Sequence, residues 1–492
     1  MRRRKLIQRM LAVSAILPFG GTSLSGARAA GLKTNAGDSD SANNSPSDIN
    51  RGSEEAAGSS APTQFPRWQN WAATQSCQPI NRMAPASIDE LVEGLKAAES
   101  NVRPVGSGHS FSPLVPTDDC LLSTDLLSGV SDVEPSARRA TILGGTRLGS
   151  LGPLLDGLGQ AMPNLPDMDY PSLAGALATS THGTGVEFGS IADQVHALRL
   201  VTPEGELLNC NRTENSEVFF AARTSLGALG VVADITLQNV EPYKLTETSR
   251  VENLDEVLED IAVRKLGNRH FEIFPFPHSS VCMTISTNPA RQGDTNRGEE
   301  DIYAVNRIRD LYDVLSSVPW VGNRLYSAIF SSVLAGEPET VRTGKSYSVL
   351  AHDRLVRFRE MEYTVPAEQG PACLRELMSA IRKKNLPLFF PLEYRYVKAD
   401  DAWLSMFQGR DGCSISVHQY GDRHFQQIFA ELEPIFWKYN GRPHWGKIHS
   451  LNAGQLEALY PAHWRDFRRL RADIDPGKKM LNPYLANLLG VL

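Results

Sequence analysis

The chain reads as an α+β protein of two domains, and two patterns predict this. Up to about Val240, short strands alternate with short helices and glycine-rich turns. From there to about residue 440, apolar/polar alternation runs in longer strand-like stretches separated by two helical ones, the pattern of a mostly antiparallel sheet covered by helices on one face. With 492 residues, 41% of them apolar, the chain has room for two or three domains. Its net charge of -6, without a basic stripe, lacks the electrostatic footprint of a nucleic-acid binder. Past the N-terminus no apolar run is long enough to cross a bilayer.

Residues 1–30 combine a basic start, an apolar middle from Met10 to Phe19 and Ala27-Arg28-Ala29 before Ala30, the layout of an export signal. Arg3-Arg4-Lys5-Leu6-Ile7 resembles the twin-arginine type, which implies passage of a folded protein to the bacterial periplasm. Residues 31–64 are Ser, Asn, Gly, Ala and Asp with almost no large apolar side chains, so they read as a disordered linker.

Order is expected from Phe65, with Trp68, Asn70 and Trp71. Ser87 caps a helix whose apolar face is Ile88, Leu91, Val92 and Leu95, with Glu90 completing a capping box. That helix feeds VRPVGSGHSFSP, Val102 to Pro113, a strand entering a glycine turn. Gly106 and Gly108 let the backbone approach a bound group, and Ser107 and Ser110 offer hydroxyls, as a diphosphate cradle requires; alone, such a turn is equally a surface turn. It is not a Rossmann fingerprint, because Phe111 stands where the third glycine belongs. Gly344-Lys345-Ser346 is not a P-loop, because Glu339 stands at its first glycine.

A strand at Ala140–Leu143 precedes a helix carrying Leu148, Leu151, Leu154 and Leu155. SLAGALATSTHGTG, Ser172 to Gly185, surrounds His182 with residues too small to pack much themselves, leaving either room for a flat ligand or a tight helix start on a sheet. A hairpin, 196–201 with 206–210, and a strand within 229–240 close a first domain at 65–240.

In the second domain, 241–440, strands are expected at Phe271–Ile285, Ser346–Tyr363, Leu388–Lys398 and Cys413–Tyr420, helices at Gln369–Lys384 and His424–Tyr439, and a polar loop at 288–300. Glu393 and Arg395 leave one face of their strand and Leu392, Tyr394 and Tyr396 the other. Ser416 and His418 repeat the pattern, so Glu393 and His418 would supply a carboxylate and an imidazole for acid–base work if they share a cavity; a solvated face is the alternative. A segment at 441–492 begins with HWGK, His444 to Lys447. Six scattered cysteines, without a Cys-x-x-Cys pair, imply no metal site.

VRPVGSGHSFSP, ATSTHGTG, FREMEYTVP, PLEYRYV, HWGK and DPGKKMLNPYL occur in the order of the sugar-1,4-lactone oxidases, the aldonolactone and alditol oxidoreductases of the vanillyl-alcohol-oxidase superfamily, which the chain resembles from Trp68 onward. The resemblance implies a two-domain FAD-linked oxidase fold whose last segment, 441–492, returns to the flavin. It implies FAD held covalently by His109, with Val105 and Gly106 to Ser110 at the pyrophosphate, and Ala176, Ser180, Thr181, His182, Gly183, Gly185, Val232 and His444 around the cofactor. Glu393 and Arg395 would hold substrate hydroxyls and help remove a proton, His418 would be a polar substrate contact, and Lys447 would stabilise negative charge on the reduced flavin. The implied reaction moves hydride from a carbinol carbon to the flavin. The implied substrate is an aldono-1,4-lactone or, as the alternative, a polyol, with O2 or a cytochrome or quinone as acceptor. An exported flavin- or sugar-binding protein without activity would leave Glu393 and Arg395 idle.

Overall fold

In a computed structural model of the protein, the described residues are 65–290, 339–352, 356–421 and 423–491. The expected export signal, the linker and the loop beyond Ala290 lie outside them. No helix among the described residues is long and apolar enough to cross a membrane.

Beside a two-stranded ribbon of Trp68–Gln69 with Ser76–Cys77, three larger sheets organise the described residues. The glycine turn leaves the strand Val102–Val105, an outer member of a small parallel sheet with Cys120–Ser123 and Asn81–Met83. The helix before it, Ile88–Ala97, buries Leu91 and Leu95 and is capped by Ser87 Oγ, which accepts from Glu90 N at 3.1 Å. The box's return bond falls one residue early, with Glu90 Oε2 accepting from Ala86 N. An antiparallel five-stranded sheet follows, in the order Val130–Glu134, Arg139–Leu143, Val231–Gln238, Val195–Val201, Leu207–Asn211.

The third sheet is antiparallel and eight-stranded: Thr340–Lys345, Lys244–Asn253, Val281–Ala290, His270–Pro275, Glu393–Val397, Gly412–Tyr420, Phe358–Pro366, Arg442–Pro443. Period-two alternation sets its two faces. Met361, Tyr363 and Val365 are buried against the helices Gly370–Lys383 and Gln426–Lys438, where Tyr363 stacks on Phe436 at 4.9 Å. Each such aromatic or aliphatic side chain contributes roughly 1.5–3 kcal/mol of burial. The opposite face carries Glu360, Glu362 and Thr364.

Three expected strands differ in the structure, Leu388–Lys398 being strand only over Glu393–Val397. Phe271–Ile285 is a hairpin whose turn places His278 at φ 56°, and Ser346–Tyr363 contains a short helix, Ser346–Leu350, before the strand Phe358–Pro366. The C-terminal segment returns to the glycine turn. Lys479 O accepts from Val102 N at 2.8 Å, and Asn482 Nδ2 donates to Pro113 O and Pro116 O at 2.9 Å each.

Candidate active site

One cavity of about 470 Å³ gathers side chains from all three sheets. Its first wall is the glycine turn. Gly108 sits at φ 66°, and a Cβ on Gly106 would lie 1.9 Å from Ser172 Oγ, so the turn is pressed against the start of the helix Leu173–Ala178. Val105, Gly106, Ser107, Gly108, His109 and Ser110 all line the cavity. Ser107 Oγ is spent on Tyr170 O at 2.7 Å, whereas Ser172 Oγ is buried, lines the cavity and has no hydrogen-bond partner. His109 is stacked between Trp71 at 5.3 Å and Tyr170 at 5.7 Å. Burial, with the charges of Lys447 and Arg147 nearby, pulls its pKa down to about 4, which leaves a neutral imidazole at neutral pH.

The small-residue stretch forms the second wall. Ala176, Thr181, His182 and, from the five-stranded sheet, Val232 line the cavity. Ser180, Gly183 and Gly185, expected around the cofactor, do not. Ser180, at φ 61°, bonds Ser405 Oγ at 3.0 Å; Gly183 is wedged against Leu165 and Asn164; and Gly185 N donates to Tyr396 O at 2.7 Å. Their smallness answers to close packing, for Ser180 and Gly185 against the second domain and for Gly183 within the first.

The third wall is the polar face of the eight-stranded sheet. Register places Glu393 opposite Ser416, which faces Glu362, and places Arg395 opposite Ser414 and His418 opposite Glu360. Glu393, Arg395 and His418 are 6–7% exposed, so this is no solvated face. Arg395 Nη1 is 3.4 Å from Glu393 Oε1, and its Nη2 is 3.4 Å from Glu362 Oε1. His418 Nδ1 donates to Pro391 O at 3.0 Å, and its Nε2 is 3.4 Å from Glu360 Oε1. Glu393 Oε1, Arg395 Nε and Ser416 Oγ are buried without hydrogen-bond partners. Such orphans carry a desolvation cost that a polyhydroxyl ligand would relieve.

Charge follows geometry. Burial raises the Glu393 pKa, Asp167 adds to the rise, and Arg395 only partly offsets it. Burial opposes charge on Glu360 as well, but Lys447 and His418 hold it well below the usual carboxylate range. Glu362 is held down in the same way by His182, His444 and Arg395. His418 is raised, because Glu360 and Glu393 outweigh its burial. Burial drops His444 to about 3.

The His444–Lys447 loop is stitched between two walls. His444 N and Ile448 N donate to Glu362 O and Glu360 O, and Gly446 O accepts from Phe111 N at 2.7 Å. Trp445 is buried, stacked with Tyr460 and Trp464, while Lys447 and His444 face the cavity. The Lys447 ammonium is ion-paired with Glu360.

Glu360 and Glu362 have no counterpart among the residues expected from sequence. Their signal was available: two carboxylates two apart in FREMEYTVP, repeating the Glu393–Arg395 spacing on a strand whose other face is apolar.

A glycine cradle, an orphaned serine hydroxyl beside it and a long cavity fit a dinucleotide with a flat ring system, and the acid–base array lies in the same cavity. Fold and site together define an FAD-linked oxidoreductase. The protein shares its fold with cholesterol oxidase from Brevibacterium sterolicum, at TM-score 0.70 and 16% identity over 88% of this chain and 100% of that one. Residues 79–211 match the FAD binding domain family, and residues 235–488 match the D-arabinono-1,4-lactone oxidase family. The chain is 36% identical to an L-gulono-1,4-lactone dehydrogenase of Mycobacterium tuberculosis over 86% of its length and 99% of the relative's. It is 31% identical to an L-gulonolactone oxidase of Scyliorhinus torazame, over 85% and 97%. An alditol oxidase from a Streptomyces species is 29% identical over 85% and 98%. The chain belongs to the D-arabinono-1,4-lactone oxidase family.

Proposed function

We propose that the protein oxidises an aldono-1,4-lactone to its 2-keto lactone, with a gulono-, galactono- or arabinono-lactone as substrate. The observation that carries this reading is the pair Glu393 and Arg395, whose Oε1 and Nε are buried without hydrogen-bond partners and which line the cavity that holds the glycine turn and His109. Bound FAD supplies the two-electron acceptor for hydride leaving the carbinol carbon. Glu393, with its raised pKa and an Oε1 that has no hydrogen-bond partner, takes the hydroxyl proton. Arg395, clamped by two carboxylates, fixes the substrate hydroxyls. Lys447, ion-paired with Glu360, lines the cavity wall, where its ammonium can donate to negative charge developing on the cofactor.

His109 holds the FAD covalently. Its support is a neutral, nucleophilic imidazole, stacked in place on the glycine turn and lining the cavity. Reoxidation goes to O2, to a quinone or, one electron at a time, to two cytochrome molecules; the relatives include one named as a dehydrogenase and one named as an oxidase. The first thirty residues carry the chain to the periplasm, with the Arg3-Arg4 pair as the signal's mark.

Product analysis with a panel of lactones and alditols tests the assignment. The expected result is a 2-keto lactone from at least one aldonolactone. Turnover of alditols alone would move the assignment to a polyol, and no turnover of either would overturn it.

A further inference from the structure

Among the described residues, the cationic and imidazole groups on the substrate side of the cavity already have acidic partners. Arg395 is shared by Glu362 and Glu393, and His182 Nε2 lies 2.7 Å from Glu362 Oε1. Lys447 and His418 both turn to Glu360, one through each carboxylate oxygen. Arg103, deeper in the cavity, is spent on the carbonyl oxygens of Leu114, Leu226, Gly227 and Met480.

Glu360 therefore stands between an ammonium and an imidazole that come from different parts of the chain, Lys447 from the C-terminal loop and His418 from the neighbouring strand. Its side chain is 3% exposed, and its carboxylate lies within 4.8 Å of the ligand atoms of both Glu393 and His418. Remove its charge and Lys447 with His418 becomes a ready carboxylate site.

We propose that Glu360 is a specificity-determining residue, which neutralises Lys447 and His418 so that the cavity accepts neutral sugars and refuses sugar acids. The discrimination matters chemically, because hydrolysis of an aldonolactone gives an aldonate with the same carbon skeleton and one added negative charge. An entering carboxylate would meet Glu360, Glu362 and Glu393, with no free cation among the described residues on that side. Repulsion between unit charges about 5 Å apart, at an effective dielectric of about 20, corresponds to at least roughly a hundredfold in affinity. The inference rests on the reading of this cavity as a sugar site, not on which neutral sugar is oxidised.

The test uses the flavin-loaded protein with three ligands of one carbon chain: the lactone, its saponified aldonate and the neutral alditol. The aldonate is expected neither to bleach the flavin anaerobically nor to inhibit until about a hundredfold above the KM of the best neutral sugar. Glu360→Gln should lower the aldonate Ki at least tenfold, and by more than Glu393→Gln, which removes one carboxylate charge but leaves Lys447 and His418 paired with Glu360. A wild-type aldonate Ki within tenfold of that KM overturns the proposal, as does a Glu360→Gln protein that excludes aldonate as before. Should that variant lose its flavin, the wild-type ratio decides alone. If no neutral sugar bleaches the flavin, the reading of the site fails separately, and perturbation of the flavin spectrum by aldonate still tests the charge rule.

Discussion

His182 Nε2 lies 2.7 Å from Glu362 Oε1, with both side chains 1% exposed. That contact joins the small-residue wall to the polar sheet face, and the same carboxylate oxygen is 3.4 Å from Arg395 Nη2. His182 thus reaches the substrate side through Glu362.

Replacing Glu362 by Gln keeps the shape and removes the charge. Breaking one side of a buried pair costs about 3–5 kcal/mol, and Arg395 loses one of its two clamps. The expected outcome is a lower urea midpoint together with a raised KM for substrate at unchanged flavin content. Unaltered melts and kinetics would show the contact to be idle.

His109→Ala should yield protein that releases its flavin on acid precipitation, while the wild-type pellet stays yellow and fluoresces on a denaturing gel. A colourless wild-type pellet would remove the covalent link from the account.

Gly106→Ala places a Cβ 1.9 Å from Ser172 Oγ and 3.0 Å from Ser172 Cβ. Flavin incorporation should fall sharply, and adding Ser172→Ala should restore part of it, because the hydroxyl is the nearer obstacle. Flavin-to-protein absorbance ratios check both.

Two histidines away from the cavity predict acid lability. Burial drops His270 and His449 to about 4, below the unfolded value of about 6.5. Between those values the unfolded chain binds protons that the native state refuses. Their contribution is full above about pH 6.5 and is lost as the pH falls toward 4, at up to about 1.4 kcal/mol per pH unit for each. His418, raised, has the opposite sign, its contribution being lost as pH rises through its folded value. Urea midpoints from pH 7 to 5 should fall, and His449→Phe should flatten the slope by one proton.

Much of the site was legible because strand alternation is local. Glu393 and Arg395 leave one face whatever the fold, and the glycine turn announces a close approach before its ligand is known. What alternation does not give is which strands are neighbours, so the pairing of Glu360 with His418, and of Glu362 with Ser416, needed the sheet order. The hairpin inside Phe271–Ile285 escaped because its turn holds Phe276, Pro277 and His278, with no glycine or asparagine, and His278 itself takes the positive φ. Ser346–Leu350 reads as alternating yet forms a helical turn after a strand already paired. Ser180, Gly183 and Gly185 are small for packing against Ser405, Asn164 and Phe188, contacts that composition leaves open and that the resemblance assigned to the cofactor instead.

The most direct measurement is anaerobic stopped-flow mixing of the flavin-loaded protein with an aldono-1,4-lactone, following the flavin absorbance in wild type and Glu393→Gln. The account predicts bleaching of the wild type within one turnover and a rate lower by about 10²–10⁴-fold in the variant, at equal flavin content. Bleaching at equal rates in both proteins, or a wild type that no lactone bleaches, would contradict it.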